Sequence, residues 1–238
     1  MNKDQLRQRL EFYQDLGIKT LYRRAAIEME PEPQLAPALP VLPSLAPSGD
    51  SLAKISADIG DCKRCRLHQG RNKIVFGTGN ESAKLLFVGE GPGADEDEQG
   101  LPFVGRAGQL LTQMIEGTAS KEGIPIVRSD VYICNVVKCR PPENRTPQPD
   151  EMETCGQFLY RQFEVIRPKA ICALGSTAAK AVLGTKDGVT RLRGKWHKWR
   201  DIPVMVTYHP SYLLRPYNQN AKRESWEDLK TVLHYVYD

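Results

Sequence analysis

The sequence predicts an α/β fold, a parallel sheet covered by helices, and three observations carry that prediction. Four apolar runs of strand length are each followed by a segment with helical periodicity. The residues with unusual chemistry cluster at the carboxyl ends of those runs, where ligands bind in open α/β sheets. The chain has 238 residues, 40% of them apolar, which suits one domain with an appendage.

Residues 1–30 read as an amphipathic helical segment, because charged side chains alternate with Leu6, Leu10, Phe12, Leu16, Ile18, Leu21 and Ile27. Residues 31–50 read as a linker. "PEPQLAPALPVLPSLAPSG" carries six prolines, and each removes a backbone donor. The compact domain is expected over residues 51–238. Its strands are "AKLLFVG" (83–89), "DVYICNVV" (130–137), "KAICALG" (169–175) and "IPVMVTYHP" (202–210). A helix over 106–117 is expected to end at Gly117. The helix over 148–166 carries acids in its first turn, where the dipole favours them. Ser176 is expected to cap a helix over 176–184. The last helix, 219–237, sets Trp226, Leu229, Leu233 and Val236 on one face.

Lys and Arg total 33 against 29 Asp and Glu, so the net charge is +4. That surplus permits nucleic-acid binding without demanding it. No apolar run approaches the roughly 18 residues of a membrane helix. The start, "MNKDQLRQRL", lacks the apolar core of a signal peptide, and a cytoplasmic location is expected. The six cysteines are then expected to be reduced, metal-bound or buried. Cys62 and Cys65 form a CxxC; Cys139 ends a strand and Cys155 lies in the next helix. Four such thiolates suit tetrahedral zinc or a [4Fe–4S] cluster, and the spread second pair leans towards the cluster. Cys134 and Cys172, inside apolar strands, read as core.

After the first strand comes "GEGPGADEDEQG". A phosphate loop would carry GxxxxGK[ST], and this turn has no such lysine. Its carboxylates repel phosphate, and Asp95 to Glu98 read mainly as a solvated rim. Gly89 and Gly91 flank Glu90 and let the backbone approach a ligand. A flat, neutral, hydrogen-bonding ligand fits better than an anion. Phe103 offers such a ligand a stacking face. Asn135 interrupts an apolar strand and offers a donor and an acceptor side by side, matching a pyrimidine edge. His209 is the one histidine at the carboxyl end of a strand; Ser211 can bond a phosphate. Leu213, Leu214 and Arg215 suit a loop that wedges into a base stack. "TKDGVTRLRGKWHKWR" (185–200) holds six Lys/Arg, one acid and two tryptophans, and reads equally as a base-stacking basic surface or a hairpin with snorkelling lysines.

Taken together, "CKRCRLHQGRNKIVFGTGN", "VGEGPGADEDEQGLPFVGRAGQLL", "YICNVVKCRPPENRTPQPDEMETC" and "HPSYLLR" resemble the family 4, iron–sulfur uracil-DNA glycosylases over about residues 52–237. The resemblance implies a three-layer uracil-glycosylase sandwich with a four-stranded parallel central sheet. It implies that Cys62, Cys65, Cys139 and Cys155 hold a [4Fe–4S] cluster. The family's glycine motif maps onto Gly89, Gly91 and Gly93. Glu90 takes the position that engages the attacking water, Phe103 stacks on the extruded uracil, Asn135 reads its edge and His209 contacts O2. Ser211, Leu213, Leu214 and Arg215 lie in the DNA-engaging loop.

The expected activity is hydrolysis of the N-glycosidic bond of uracil in DNA, single- or double-stranded, the first step of base excision repair. The covalently trapping subfamily has an inserted Lys-Arg-Arg-Ile-His loop after the second strand; "KCRPPENRTPQPDE" stands here, so turnover is expected. The alternatives are a non-catalytic nucleic-acid-binding module with a structural metal cluster and, more weakly, a redox protein. A monomer associated with the nucleoid is expected; residues 1–50 lie outside the resemblance, and a tether to a protein partner is the hypothesis for them.

Overall fold

The computed structural model describes residues 3, 4, 6, 7 and 44–238. The predicted amphipathic segment and most of the linker lie outside the described residues; Lys3, Asp4, Leu6 and Arg7 are helical. The chain divides into a unit over Met1–Val41 and a larger one over Leu42–Asp238. The larger unit opens with an anchored stretch. The Ser44 hydroxyl and the amides of Leu45 and Ala46 donate to the Glu164 carboxylate, and Asp50 pairs with Arg161 at 2.7 Å.

The first helix of this unit is α1 (Leu52–Ile59), capped by the Ser51 hydroxyl, which accepts from the Lys54 amide. A sheet of six strands follows: β1 (Thr78–Gly79), β2 (Leu85–Gly89), β3 (Tyr132–Asn135), β4 (Ala170–Leu174), β5 (Trp196–Trp199) and β6 (Ile202–Thr207). Its order is β1-β3-β2-β4-β6-β5. The sheet is mixed. The β3–β2, β2–β4 and β4–β6 pairs run parallel, while β1 and β5 join the two edges antiparallel. The strand β5 and its partner β6 make a hairpin, one of the two readings the sequence offered for residues 185–200.

Alternation along the strands divides the core. Leu86, Val88, Ile171 and Ala173 face one side, with α1, α4 (Pro149–Ile166) and α5 (Gly175–Leu183) against them. Leu85, Phe87, Ala170 and Cys172 face the other, covered by α3 (Arg106–Lys121) and α8 (Gln219–Tyr237). Both faces being apolar explains why β2 and β4 are buried throughout.

Several elements differ from the sequence reading. The four acids are not a solvated loop: Ala94–Gln99 is a helix, α2. Helix α3 runs through Gly117 to Lys121, because Thr118 and Ala119 are buried against the sheet and extend its apolar stripe. Ser176 caps nothing; α5 starts at Gly175, whose φ of +89° makes the turn from β4. Short helices α6 (Val189–Leu192) and α7 (Pro210–Leu213) complete the unit. On α8 the buried face is Leu229, Val232, Leu233 and Val236, and Trp226 sits at its border. Among the described residues no helix is long and apolar enough to cross a membrane.

Candidate active site

The strand order reverses at β2, with β3 on one side and β4 on the other. Loops leaving the carboxyl ends of these strands diverge there and open a crevice. A cavity of about 320 Å³ fills it, at the small end for a ligand site. Glu90, Gly91, Gly93, Phe103, Asn135, His209 and Ser211 all line it. Segments more than a hundred residues apart therefore meet as the sequence reading expected. Leu213, Leu214 and Arg215 are not in its wall.

The cavity floor depends on absent atoms. Gly89 pairs with Asn135 across β2–β3. A Cβ on Gly89 would lie 2.5 Å from Asn135 Oδ1 and 2.5 Å from Phe103 Cζ, so only glycine lets both side chains meet there. Asn135 is buried, and its Oδ1 has no hydrogen-bond partner. Such an acceptor is costly in isolation, by about 1–3 kcal/mol, and asks for a donor from a ligand. Gly91 is required too, because a Cβ there would meet Val137 Cγ2 at 2.8 Å.

Phe103 adopts φ of +55°, a conformation that non-glycine residues rarely take. It is clamped from both sides. Arg128 Nη2 donates to the Pro102 carbonyl at 2.9 Å, and the Val104 and Gly105 amides donate to Glu96 Oε1 at 2.9 Å each. The Phe103 ring stands 5.5 Å from the His209 ring.

This gives the acidic run a role the sequence reading missed. Glu96 also accepts from the Gly93 amide at 3.1 Å, tying the glycine turn to the Phe103 loop. Asp97 is fully buried and accepts from the Asn72 amide at 2.9 Å, the Asn72 side chain at 2.9 Å and the Lys73 amide at 3.3 Å. Two of the four acids are structural ties and not bystanders.

His209 Nδ1 accepts from the Ser211 amide at 3.2 Å and lies 2.8 Å from the Ser211 hydroxyl. A backbone N–H is only a donor, so the neutral ring carries its proton on Nε2. Burial pulls the His209 pKa down to about 4, only partly opposed by Glu96. The imidazole is thus neutral, with an N–H to give. Glu90 accepts from the Thr177 hydroxyl on α5.

Asn144, Arg145, Gly175 and Ser176, which stand at strand ends in the sequence but were given no individual role, also line the cavity. A Cβ on Gly175 would lie 2.9 Å from His209 Cβ, so Gly175 makes room for the histidine. Lys138 was also missed. It is buried, and its Nζ donates to the Asn135 carbonyl at 2.9 Å and to Gln162 Oε1 at 2.7 Å, fixing the backbone beneath Asn135. No motif marks these residues, because which of them face the cavity depends on how the chain folds around it.

The leucine loop is corrected. Pro210–Leu213 is a helical turn, Leu213 is buried and Leu214 is half-buried, so no aliphatic wedge projects. Ser211, Tyr212 and Arg215 are the exposed residues there. The three arginines of the basic segment are engaged. Arg193 pairs with Asp228, Arg191 with Asp187 and Arg200 with Glu164. Trp199 packs on Phe163 at 5.0 Å and on Tyr160 at 5.9 Å, and Trp196 on Tyr235 at 4.7 Å.

A second cavity is lined by Cys62, Cys65, Cys139 and Cys155 together with Arg71 and Lys138. Among the described residues no three His, Cys, Asp or Glu side chains are disposed to hold a single metal ion. The four thiols instead form the walls of one void. Donors already face three of the sulfurs: the Lys138 amide reaches Cys155 Sγ at 3.3 Å, Arg71 reaches Cys139 Sγ at 3.4 Å and Arg64 reaches Cys62 Sγ at 3.5 Å. Burial pushes the Cys65 and Cys139 thiols up, and that of Cys155 to about 12. Cys134 and Cys172 are buried in the core.

Fold and cavity define an α/β protein with a small, hydrogen-bonding pocket at the carboxyl edge of its strands. The chain belongs to the uracil-DNA glycosylase superfamily, whose family model matches residues 76–230. It is 45% identical to the Type-4 uracil-DNA glycosylase of Thermotoga maritima over 184 residues, 76% of this chain and 93% of the relative. The Type-4 uracil-DNA glycosylase of Sulfurisphaera tokodaii is 44% identical over 191 residues, 77% of this chain and 84% of the relative. That of Archaeoglobus fulgidus is 42% identical over 191 residues, 77% and 92%.

Proposed function

We propose that this chain hydrolyses the N-glycosidic bond of uracil in DNA, releasing the base and leaving an abasic site for repair. The observation that carries the reading is the orphaned Asn135 Oδ1 in a cavity walled by Phe103 and His209. The N3–H of uracil is the donor that oxygen lacks, and the Asn135 amide can give a proton to O4. Cytosine presents the reverse pattern. The aromatic face of Phe103 receives the extruded ring. The parallel pairing of β3, β2, β4 and β6 supports a glycosylase-type sandwich within the mixed sheet.

When the C1′–N1 bond breaks, its electron pair leaves with the base and charge gathers on O2. The His209 Nε2–H donates to O2 most strongly as that charge develops, so it stabilises the transition state more than the ground state. Glu90, steadied by Thr177, holds the attacking water and tolerates the positive charge growing on the sugar. Water adds to C1′, and its proton neutralises the released base. Extruding the base costs a few kcal/mol, which contacts around the pocket mouth offset. The segment after β3 holds no histidine, so the product leaves without covalent capture.

The four cysteines fit a [4Fe–4S] cluster, since they wall one void and backbone and guanidinium donors face their sulfurs. A cluster held by Cys62, Cys65, Cys139 and Cys155 would cross-link the loop before β1 to the β3–α4 connection. No step of the hydrolysis passes through it. The alternative of a non-catalytic binding module leaves the neutral histidine and the Glu90–Thr177 pair unexplained.

The test is release of free uracil from a uracil-containing oligonucleotide, with protein purified without oxygen. Wild type cleaves after alkali. His209→Ala loses about 10²–10³ in rate, and Asn135→Ala loses rate and discrimination against cytosine. Intact strands with wild-type protein overturn the reading.

A further inference from the structure

The aromatic residues flanking His209 are not consumed by the pocket. Tyr208 and Tyr212 stack with ring centroids 5.3 Å apart and planes 22° from parallel. The Arg193 guanidinium lies 5.7 Å from the Tyr208 ring, and the Arg215 guanidinium 5.8 Å from the Tyr212 ring. Arg215 Nη1 also donates to the Tyr217 hydroxyl at 3.4 Å. Two stacked rings thus lie between two guanidiniums, and a third ring, Tyr217, lies beyond the outer one.

The inner end of this ladder is fastened. Arg193 Nη2 donates to Asp228 Oδ1 at 2.8 Å and to the Glu224 carbonyl at 2.9 Å. The Asn218 side chain donates to the Tyr212 carbonyl at 2.7 Å and pins the turn. The outer end is open, with Tyr212 39% and Tyr217 75% exposed. Ser211, immediately before Tyr212, lines the uracil cavity. The ladder therefore starts at the pocket rim and runs outward from it.

We propose that Tyr212 and Tyr217, with Arg215 beside them, form a stacking platform for the unpaired base adjoining the uracil in single-stranded DNA, an inference that rests on the proposed function. A strand that delivers uracil to the cavity must leave it across this rim. Aromatic faces accept any base, and the Arg215 guanidinium, over the Tyr212 ring and bonded to the Tyr217 hydroxyl, can also meet the phosphate. Entry into a closed duplex calls for a protruding apolar wedge, and here Leu213 is buried and Leu214 half-buried. The exposed groups are those that suit a strand with its bases already free.

The experiment has two arms. Uracil release is measured on single-stranded and fully paired oligonucleotides with wild type, Tyr212→Ala, Tyr212→Phe and Tyr217→Ala. Separately, 2-aminopurine is placed next to a stable abasic analogue in a single strand, and its fluorescence is read on binding. Each alanine variant raises KM on the single strand roughly tenfold, as loss of one stacked base predicts; kcat holds, KM on duplex changes less, and Tyr212→Phe matches wild type. Wild type quenches 2-aminopurine and Tyr217→Ala does not. Unchanged KM and quenching overturn the platform, and so does a larger loss on duplex, which would make Tyr212 a wedge. The fluorescence arm needs no catalysis. Wild type that quenches but releases no uracil sinks the proposed function and leaves the platform standing.

Discussion

A single proton position on His209 sets the chemistry of the pocket. The Ser211 amide occupies Nδ1, and burial keeps the ring neutral, with a pKa of about 4 against an ordinary 6.5. Catalysis that depends on this donor should show no inflection near pH 6.5 in a profile of kcat/KM, and should fall only as pH approaches about 4. Stability follows the same group. The unfolded chain takes up this proton near 6.5 and the folded one near 4, so His209 costs stability progressively as pH drops from 6.5 to 4 and nothing above that window. An inflection near 6.5 that disappears in His209→Gln would show a solvated ring instead. At this scale the sequence was informative where the signal is local. Asn135 stands out inside an apolar run, and His209 beside Pro210 at a strand end. Thr177 was silent because its partner Glu90 lies far along the chain, and Glu96 and Lys138 because their bonds to nearby backbone form only once the turns around them fold. The leucines of "HPSYLLR" misled, since a helical turn at Pro210 rotates Leu213 into the core.

Helices and strands were legible from period and run length, but their ends were not. Gly117 reads as a stop, yet tertiary burial of Thr118 and Ala119 carries α3 four residues further. The glycine then sits mid-helix with nothing within 4 Å of a Cβ placed on it. Gly117→Ala should therefore stabilise the protein by about 0.5–1 kcal/mol, because it reduces the freedom lost on folding. Thermal or urea unfolding checks this, and a lower midpoint would mean that the helix is not continuous there. Four adjacent acids likewise read as a loop, because composition cannot see that Asp97 meets the Asn72 and Lys73 amides. The short strand β1 escaped because two residues carry no alternation, and β5 stayed one of two equal readings because Trp-His-Lys-Trp presents polar and aromatic groups without an apolar face.

Across the whole molecule, the cysteine void joins the 62–71 loop to the segment running from β3 into α4, and Lys138 belongs to that void and to the Asn135 support at once. Removing one of the four proposed cluster ligands, as in Cys155→Ala, should abolish iron binding at about four per chain and raise hydrogen exchange at 62–71 and 138–145 while leaving β4 and β6 protected. Equal loosening everywhere would mean that the void supports the entire fold. The rims of the sheet have a consequence of their own. One is closed by a strand of two residues; the other, β5, offers an exposed Lys198 flanked by Lys195. Neither gives a neighbouring copy a long, uncharged ribbon to anneal to. An unblunted border would seed ordered aggregates, and these two rims offer no such template.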